Sequence, residues 1–235
     1  MMKLGDRMKA YEYVSRDYLT CRTPVIVRVD GRAFHTFTKG FQRPFDRQFG
    51  NAMAHSARNL FNEMQGCKMA YVQSDEASFV ITDYDQLDTQ GWFNYNQSKI
   101  VSISASHMTA SFNHTMIGQG RPSQAMFDAR AFNIPPNEVP NYFLWRAQDW
   151  HRNSVSMYAQ ANFSQKALHG KSIPEMHEML HTIGKNWTTD LTERERNGFF
   201  LYHNCVGGVQ AETGILPKHT DISILWDEAL SEIDS

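Results

Sequence analysis

Short β-branched runs alternate with longer stretches of helical period through the first half of the chain. Pro24-Val25-Ile26-Val27-Arg28-Val29 is an apolar run that stops at Asp30-Gly31-Arg32, the composition of a strand leading into a turn. From Asp46, apolar residues recur at Phe49, Met53, Ala57, Leu60 and Met64. That spacing predicts a helix of about five turns, capped by Asp46 and ended by Gly66. Met69 to Gln73 and Ala77 to Ile81 read as strands separated only by Ser74-Asp75-Glu76, short enough for a hairpin. Val101, Ala105, Met108 and Phe112 mark a second helix in a segment starting near Tyr95, and Met126 to Ile134 reads as a returning strand. The order is βαββαβ, a split ferredoxin-like unit.

In that topology the third strand lies between the first two and runs antiparallel to the first. Asp30 and Asp75, distant in sequence, become neighbours at one end of the sheet. After Pro135-Pro136 the pattern is helical from about residue 137 to 162 and again around 174 to 186, which predicts a C-terminal helical layer and an α+β fold class. No repeat, Gly/Ser linker or low-complexity tract interrupts the sequence, so residues 1–235 are read as one catalytic domain, with a core over 1–135 and a mainly helical elaboration over 136–235. Glu193 to Gly198 reads as a charged surface turn, and the tail from Asp221, with five acidic and no basic residues, reads as surface too.

Charge complicates the picture. Lys and Arg number 23 against 25 Asp and Glu, a net −2, which lacks the global basic signature of a nucleic-acid binder. The distribution is uneven, however: residues 1–60 hold 11 basic and 5 acidic side chains (+6), leaving 12 and 20 (−8) for the rest. A phosphate-bearing ligand would be drawn to the first quarter. No apolar run approaches the ~20 residues of a membrane span, and the first twenty residues are charged where a signal peptide would be apolar, so a soluble, cytoplasmic protein is expected. Cys21, Cys67 and Cys205 lie far apart without CxxC spacing and read as free thiols of a reducing compartment. His203 and Cys205 lack further ligands at zinc spacing.

Two carboxylates at adjacent strand ends beside a glycine suit Mg²⁺, a hard ion that takes oxygen ligands from one or two carboxylates, water and phosphate. The Gly31 backbone is open enough for its carbonyl to join them. A pair of such ions can activate an attacking hydroxyl and neutralise a leaving pyrophosphate, although a strand-end Asp-Gly taken alone is most often a turn.

Three segments carry a resemblance: Val25 to Arg32 (VIVRVDGR) continuing through Ala33-Phe34-His35-Thr36-Phe37, Gln73 to Val80 (QSDEASFV), and Trp145 to Asn153 (WRAQDWHRN). Together they are similar to the tRNA-His guanylyltransferase family over about residues 5–175. The resemblance implies a palm-type catalytic core, two Mg²⁺ ions, ATP and GTP or other nucleoside triphosphates as substrates, tRNA as partner, and a homotetramer. Its members add nucleotides to RNA 5′ ends in the 3′-to-5′ direction, after transferring AMP from ATP to the 5′-monophosphate. Carried across, the metal ligands fall on Asp30, the Gly31 carbonyl and Asp75, with Ser74 and Glu76 as flanking active-site residues. The backbone of Arg32, Ala33, Phe34 and His35 is expected along a triphosphate. Arg43 stands where the family has a lysine, exchanging a point charge for a fork, and Lys99 matches a second triphosphate-binding lysine.

Arg146, Asp149 and Asn153 fall on one helical face and, with Arg28 and His151, are expected at the RNA or a second nucleotide. Trp145 and Trp150 beside them suggest a partly buried polar network. In the eukaryotic enzymes a His-Ile-Asn-Asn-Leu-Tyr-Asn segment follows this stretch; His151 to Met157 keeps only His151 and Asn153. That departure resembles the guanylyltransferase-like proteins of bacteria, archaea and phages, implying template-dependent repair of 5′-truncated tRNA. Addition of a single G to tRNA-His is the alternative; a nucleotide cyclase on the same fold and a non-catalytic RNA-binding module are more remote.

Overall fold

The computed structural model describes residues 2–203, 209–212 and 219–231. Along the chain run α1 (Leu4–Tyr13), β1 (Val25–Gly31), α2 (Phe34–Phe37), α3 (Arg47–Glu63), β2 (Cys67–Gln73), β3 (Glu76–Ile81), α4 (Gln97–Gly118) and β4 (Phe127–Asn133). There follow α5 (Val139–Asn162), α6 (Gln165–Leu168), α7 (Ile173–Thr182), α8 (Trp187–Asp190), α9 (Glu193–Asn197), β5 (Phe199–His203), β6 (Val209–Glu212) and α10 (His219–Ser231).

The strands form one antiparallel sheet in the order β4-β1-β3-β2-β5-β6. Its first four strands, with α3 and α4 as crossovers, are the βαββαβ unit expected from the pattern. Side chains alternate across a strand, so Val25, Val27 and Val29 of β1 face α3 and α4 together with Ala77, Phe79 and Val72. Ile26, Met69, Tyr71, Val80 and Phe200 face the other way, against Val139 and Phe143 of α5 and Ile222 and Trp226 of α10. Both faces of β1 are covered, which is why its sequence is an apolar run rather than an alternation. A third cluster of Val155, Tyr158, Leu168, Leu180 and Trp187 joins the second half of α5 to α6, α7 and α8.

Three sequence expectations need correction. The sheet does not end with the ferredoxin-like unit, because β5 pairs with β2 from Met69↔Tyr202 to Val72↔Phe199 and β6 adds a sixth strand. Glu193 to Gly198 is not a plain surface turn: Thr192 and Glu195 form a capping box that starts α9, and Gly198, at φ 68°, turns the chain into β5. The acidic tail is not all surface either, since α10 buries Ile222 and Trp226, four residues apart, against the sheet. Cys205 lies outside the described residues, and the His203 ring packs on Phe61. Among the described residues no helix is long and apolar enough to cross a membrane.

Candidate active site

Two chain reversals meet at the same end of the sheet. β1 ends in Asp30-Gly31, and the β2–β3 hairpin closes at the pair Gln73↔Glu76, leaving Ser74 and Asp75 as its tip. Ser74 sits at φ 45°, a region few residues other than glycine enter. The Gly31 amide donates to the Asp75 carbonyl at 3.0 Å, and Asp30 lies opposite Glu76 on one side and Asp128 on the other. Asp30 and Asp75 are thus brought together by strand register. Burial, and then the neighbouring charges of Asp30 and Glu76, push the Asp75 carboxyl up to about 6, against bonds from its own amide and the Ser74 hydroxyl that favour the anion.

That repulsion between half-buried carboxylates is what a bound cation would relieve. Asp30 and Asp75, with the Gly31 carbonyl between them in sequence, would be the donors; among the described residues no group of three or more His, Cys, Asp or Glu is arranged as a metal cage. Such a set fits Mg²⁺, which keeps several waters and takes phosphate oxygens.

Glu76 is differently placed. It is buried, and its carboxylate receives Arg146 through Nε at 2.7 Å and Nη2 at 3.0 Å and Arg28 through Nη2 at 2.7 Å. Arg28 also reaches Asp30 at 3.2 Å, and Arg146 reaches Asp149 at 2.8 Å, which holds Arg152 at 2.9 Å. Burial raises the Glu76 carboxyl above its ordinary value, opposed by the two guanidinium groups. Arg146 and Arg28, expected at RNA, both hold Glu76 here. Arg146 is 4% exposed, out of reach of a large ligand.

Gly31 has a steric reason as well. A Cβ there would lie 2.4 Å from the Phe34 ring, which packs at 5.0 to 5.8 Å against Phe37, Phe49, Phe112 and Phe127. Arg32 donates its amide to Met126 O at 2.9 Å, and Ala33, left-handed at φ 55°, starts α2. The first amides of a helix have no carbonyl within it, so those of Phe34 and His35, a few residues after Asp30, have no acceptor in α2.

A cavity of about 730 Å³ opens next to this backbone, within the range of small-molecule sites. His35, Arg43, Arg47, Ser74 and Asp75 are in its wall, with Trp150 and Met157 of α5 and Arg194 of α9. Asp46 does cap α3, accepting from Phe49 N at 3.0 Å, and it also holds Arg121 at 2.8 Å. Arg194 enters the cavity wall and Arg121 stands behind it on Asp46; each acts across more than seventy residues and belongs to no motif, so the sequence carries no local signal for either.

Lys99 is not brought to the site. Gln97, at the start of α4, bonds Ala131 O, while Thr109 meets the Phe127 amide at the level of Gly31. At 1.5 Å per residue Lys99 is roughly 15 Å along the helix from that level, exposed near the far end of the sheet. His151 meets Trp187 edge-on at 4.8 Å, with Nδ1 buried and without a hydrogen-bond partner among the described residues. Burial and the nearby His177 lower its pKa. Asn153 is exposed one turn beyond Asp149.

Comparison with known proteins agrees with this architecture. Residues 5–135 match the family model described as Thg1, tRNAHis guanylyltransferase. The tRNA(His) guanylyltransferase of Schizosaccharomyces pombe is 31% identical over 72% of this chain and 71% of its own length. An uncharacterised Acanthamoeba polyphaga mimivirus protein is 29% identical over 68% of this chain, which spans 63% of that relative. A bacterial Thg1-like protein solved in complex with ATP superposes with a TM-score of 0.87 at 40% identity, covering 99% of this chain and all of its own; one in complex with GTP gives 0.77 at 37%, over the same shares. With more than half of its length matched by the family model, the chain belongs to the Thg1 family of tRNAHis guanylyltransferases and their homologues.

Proposed function

We propose that the protein extends the 5′ end of tRNA in the 3′-to-5′ direction by templated repair of truncated molecules. The observation that carries the transfer chemistry is the position of Asp75, paired with Asp30 and also in the wall of a nucleotide-sized cavity; the departure of His151 to Met157 from the eukaryotic segment supports repair over addition of a single G. The complexes of bacterial relatives with ATP and GTP support nucleotide occupancy of such a site.

A 5′-monophosphate is a poor electrophile, because its leaving group would be oxide. In the proposed sequence the 5′-phosphate oxygen attacks the α-phosphorus of ATP and expels pyrophosphate, leaving an activated 5′–5′ anhydride. The 3′-hydroxyl oxygen of an incoming nucleoside triphosphate then attacks the RNA 5′-phosphorus, forming the new phosphodiester, losing its proton and expelling AMP.

Asp30, Asp75 and the Gly31 carbonyl would hold Mg²⁺, which when bound supplies charge neutralisation on phosphate and a lowered pKa for the attacking hydroxyl. The remaining work belongs to the chain. Arg43 and Arg47, in the cavity wall, and the amides of Ala33 to His35 would steady triphosphate charge. Ser74 orients the Asp75 carboxylate through its hydroxyl. Glu76, clamped by Arg28 and Arg146, is a positioning residue that ties the hairpin to α5.

The test is incubation with Mg²⁺, labelled ATP or GTP, and a 5′-monophosphorylated tRNA lacking its first nucleotide. Label in RNA as an added nucleotide is expected. A cyclic nucleotide, or RNA bound without transfer, would overturn the reading in favour of a cyclase or a binding module.

A further inference from the structure

Trp145 is an aromatic ring held firmly and left open. It is 51% exposed, whereas tryptophan is on average among the more buried residues. The Arg146 guanidinium carbon lies 4.4 Å from its ring centroid, and Tyr142 meets it edge-on at 5.8 Å. Both supports are themselves fixed, Arg146 by Glu76 and Tyr142 by the Ser78 hydroxyl at 3.1 Å and the Phe132 ring at 5.9 Å. A ring already fixed in place loses little entropy when a ligand covers it.

Its surroundings are polar and accessible. Arg28 and Asp30 of β1 and Arg130 and Asp128 of β4 are cross-strand partners and share one sheet face. β4 is an edge strand of the sheet, and the Asp128 and Arg130 side chains are 59% and 55% exposed. On α5, Arg152 lies two turns beyond Trp145 on the same helical stripe and is also exposed. None of Trp145, Arg130, Arg152, Arg28 or Asp30 lines the nucleotide-sized cavity. The paired carboxylates therefore stand between two surfaces, the cavity reaching Asp75 and this corner reaching Asp30.

The geometry points to this corner as the seat of the RNA 5′ end, with Trp145 as the stacking platform for a base near that end and Arg130 and Arg152 as cations for the flanking phosphates. The inference rests on the transferase reading, which requires an RNA phosphate and a nucleotide to approach the carboxylates from different sides. Stacking on an aromatic face is tolerant of base identity, as an enzyme extending ends of varied sequence requires.

The test compares Trp145→Ala, Trp145→Phe and Trp145→Leu with the wild-type protein, using a 5′-monophosphorylated tRNA that lacks its first nucleotide and, separately, ATP. Trp145→Ala is expected to weaken tRNA binding by about 10- to 100-fold, with a matching rise in KM for tRNA and no change in ATP affinity. The phenylalanine variant should recover most of the loss and the leucine variant should not. Unchanged tRNA affinity in Trp145→Ala, recovery by leucine equal to that by phenylalanine, or a loss shared equally by ATP would each overturn the inference. A wild-type protein that binds this tRNA through Trp145 yet transfers no nucleotide would refute the transferase reading and leave the stacking surface standing.

Discussion

Arg146→Met tests whether the clamp on Glu76 holds the active-site end of the molecule together. The substitution keeps the bulk of the side chain but removes both bonds to Glu76 and one of the two guanidinium groups on Asp149. Removing one partner of a buried ion pair costs about 3–5 kcal/mol. Arg28 remains on Glu76 at 2.7 Å, and burial already favours the protonated acid, so the expected loss is at the lower end, about 3 kcal/mol. For a chain of this size that corresponds to a fall in Tm of about 6–12 °C. The variant's folded Glu76 binds its proton more tightly than the unfolded one, so its stability deficit should shrink as pH falls from 8 to 5. Adding Glu76→Gln removes the stranded charge and should recover about 1–2 kcal/mol over Arg146→Met alone. Urea denaturation followed by circular dichroism measures the loss, its pH dependence and the recovery, and thermal denaturation measures the fall in Tm. A loss below about 1 kcal/mol, the size of an exposed pair, or a double variant less stable than Arg146→Met, would refute the reasoning.

Asp75→Asn should abolish nucleotide transfer and raise stability at pH 7.5 by roughly 1 kcal/mol or more, because the native carboxyl is pushed up to about 6 and its ionisation opposes folding at that pH; retained transfer would remove Asp75 from the mechanism. Gly31→Ala must displace the Phe34 ring from its four aromatic neighbours and should cost about 1–3 kcal/mol together with most of the activity, with a near-neutral denaturation midpoint as the contrary result. His151 and His177 have lowered pKa values, chiefly from burial, so on their account the unfolded chain binds more protons just below pH 6.5 and their contribution to stability falls on acidification through that window. Asp75 and Glu76 act in the opposite sense in both proteins, so the readout is a difference: the Tm of His151→Phe should gain on that of wild type as pH falls from 7 to 5, and a constant difference would refute the assignment.

The pairing of Asp30 with Asp75 was legible because the pattern fixed four strands and two crossovers, and a ferredoxin-like order leaves one arrangement for their ends. The strand alternation and the Asp46 cap were equally local signals. What lay beyond the sequence depends on non-local packing. Phe199 to His203 is five residues after a charged helix, and its partner β2 lies some 130 positions back. In α10 the count of acidic residues concealed Ile222 and Trp226. Arg146 could be placed on a helical stripe, but its burial depends on Glu76, seventy residues away. Lys99 was expected at a triphosphate from the family resemblance alone, while the direction of α4 carries it away from the carboxylates of the same chain.

Templated repair requires that the nucleotide added be chosen by the opposite strand. A set of 5′-monophosphorylated tRNAs lacking the first nucleotide, identical except for C, U, A or G at the position facing the gap, measures this directly when all four triphosphates are supplied and the products are sequenced. The added nucleotide is expected to be the complement in each case, with faster turnover on these substrates than on full-length tRNA-His. Addition of G whatever base faces the gap, confined to tRNA-His, would contradict it.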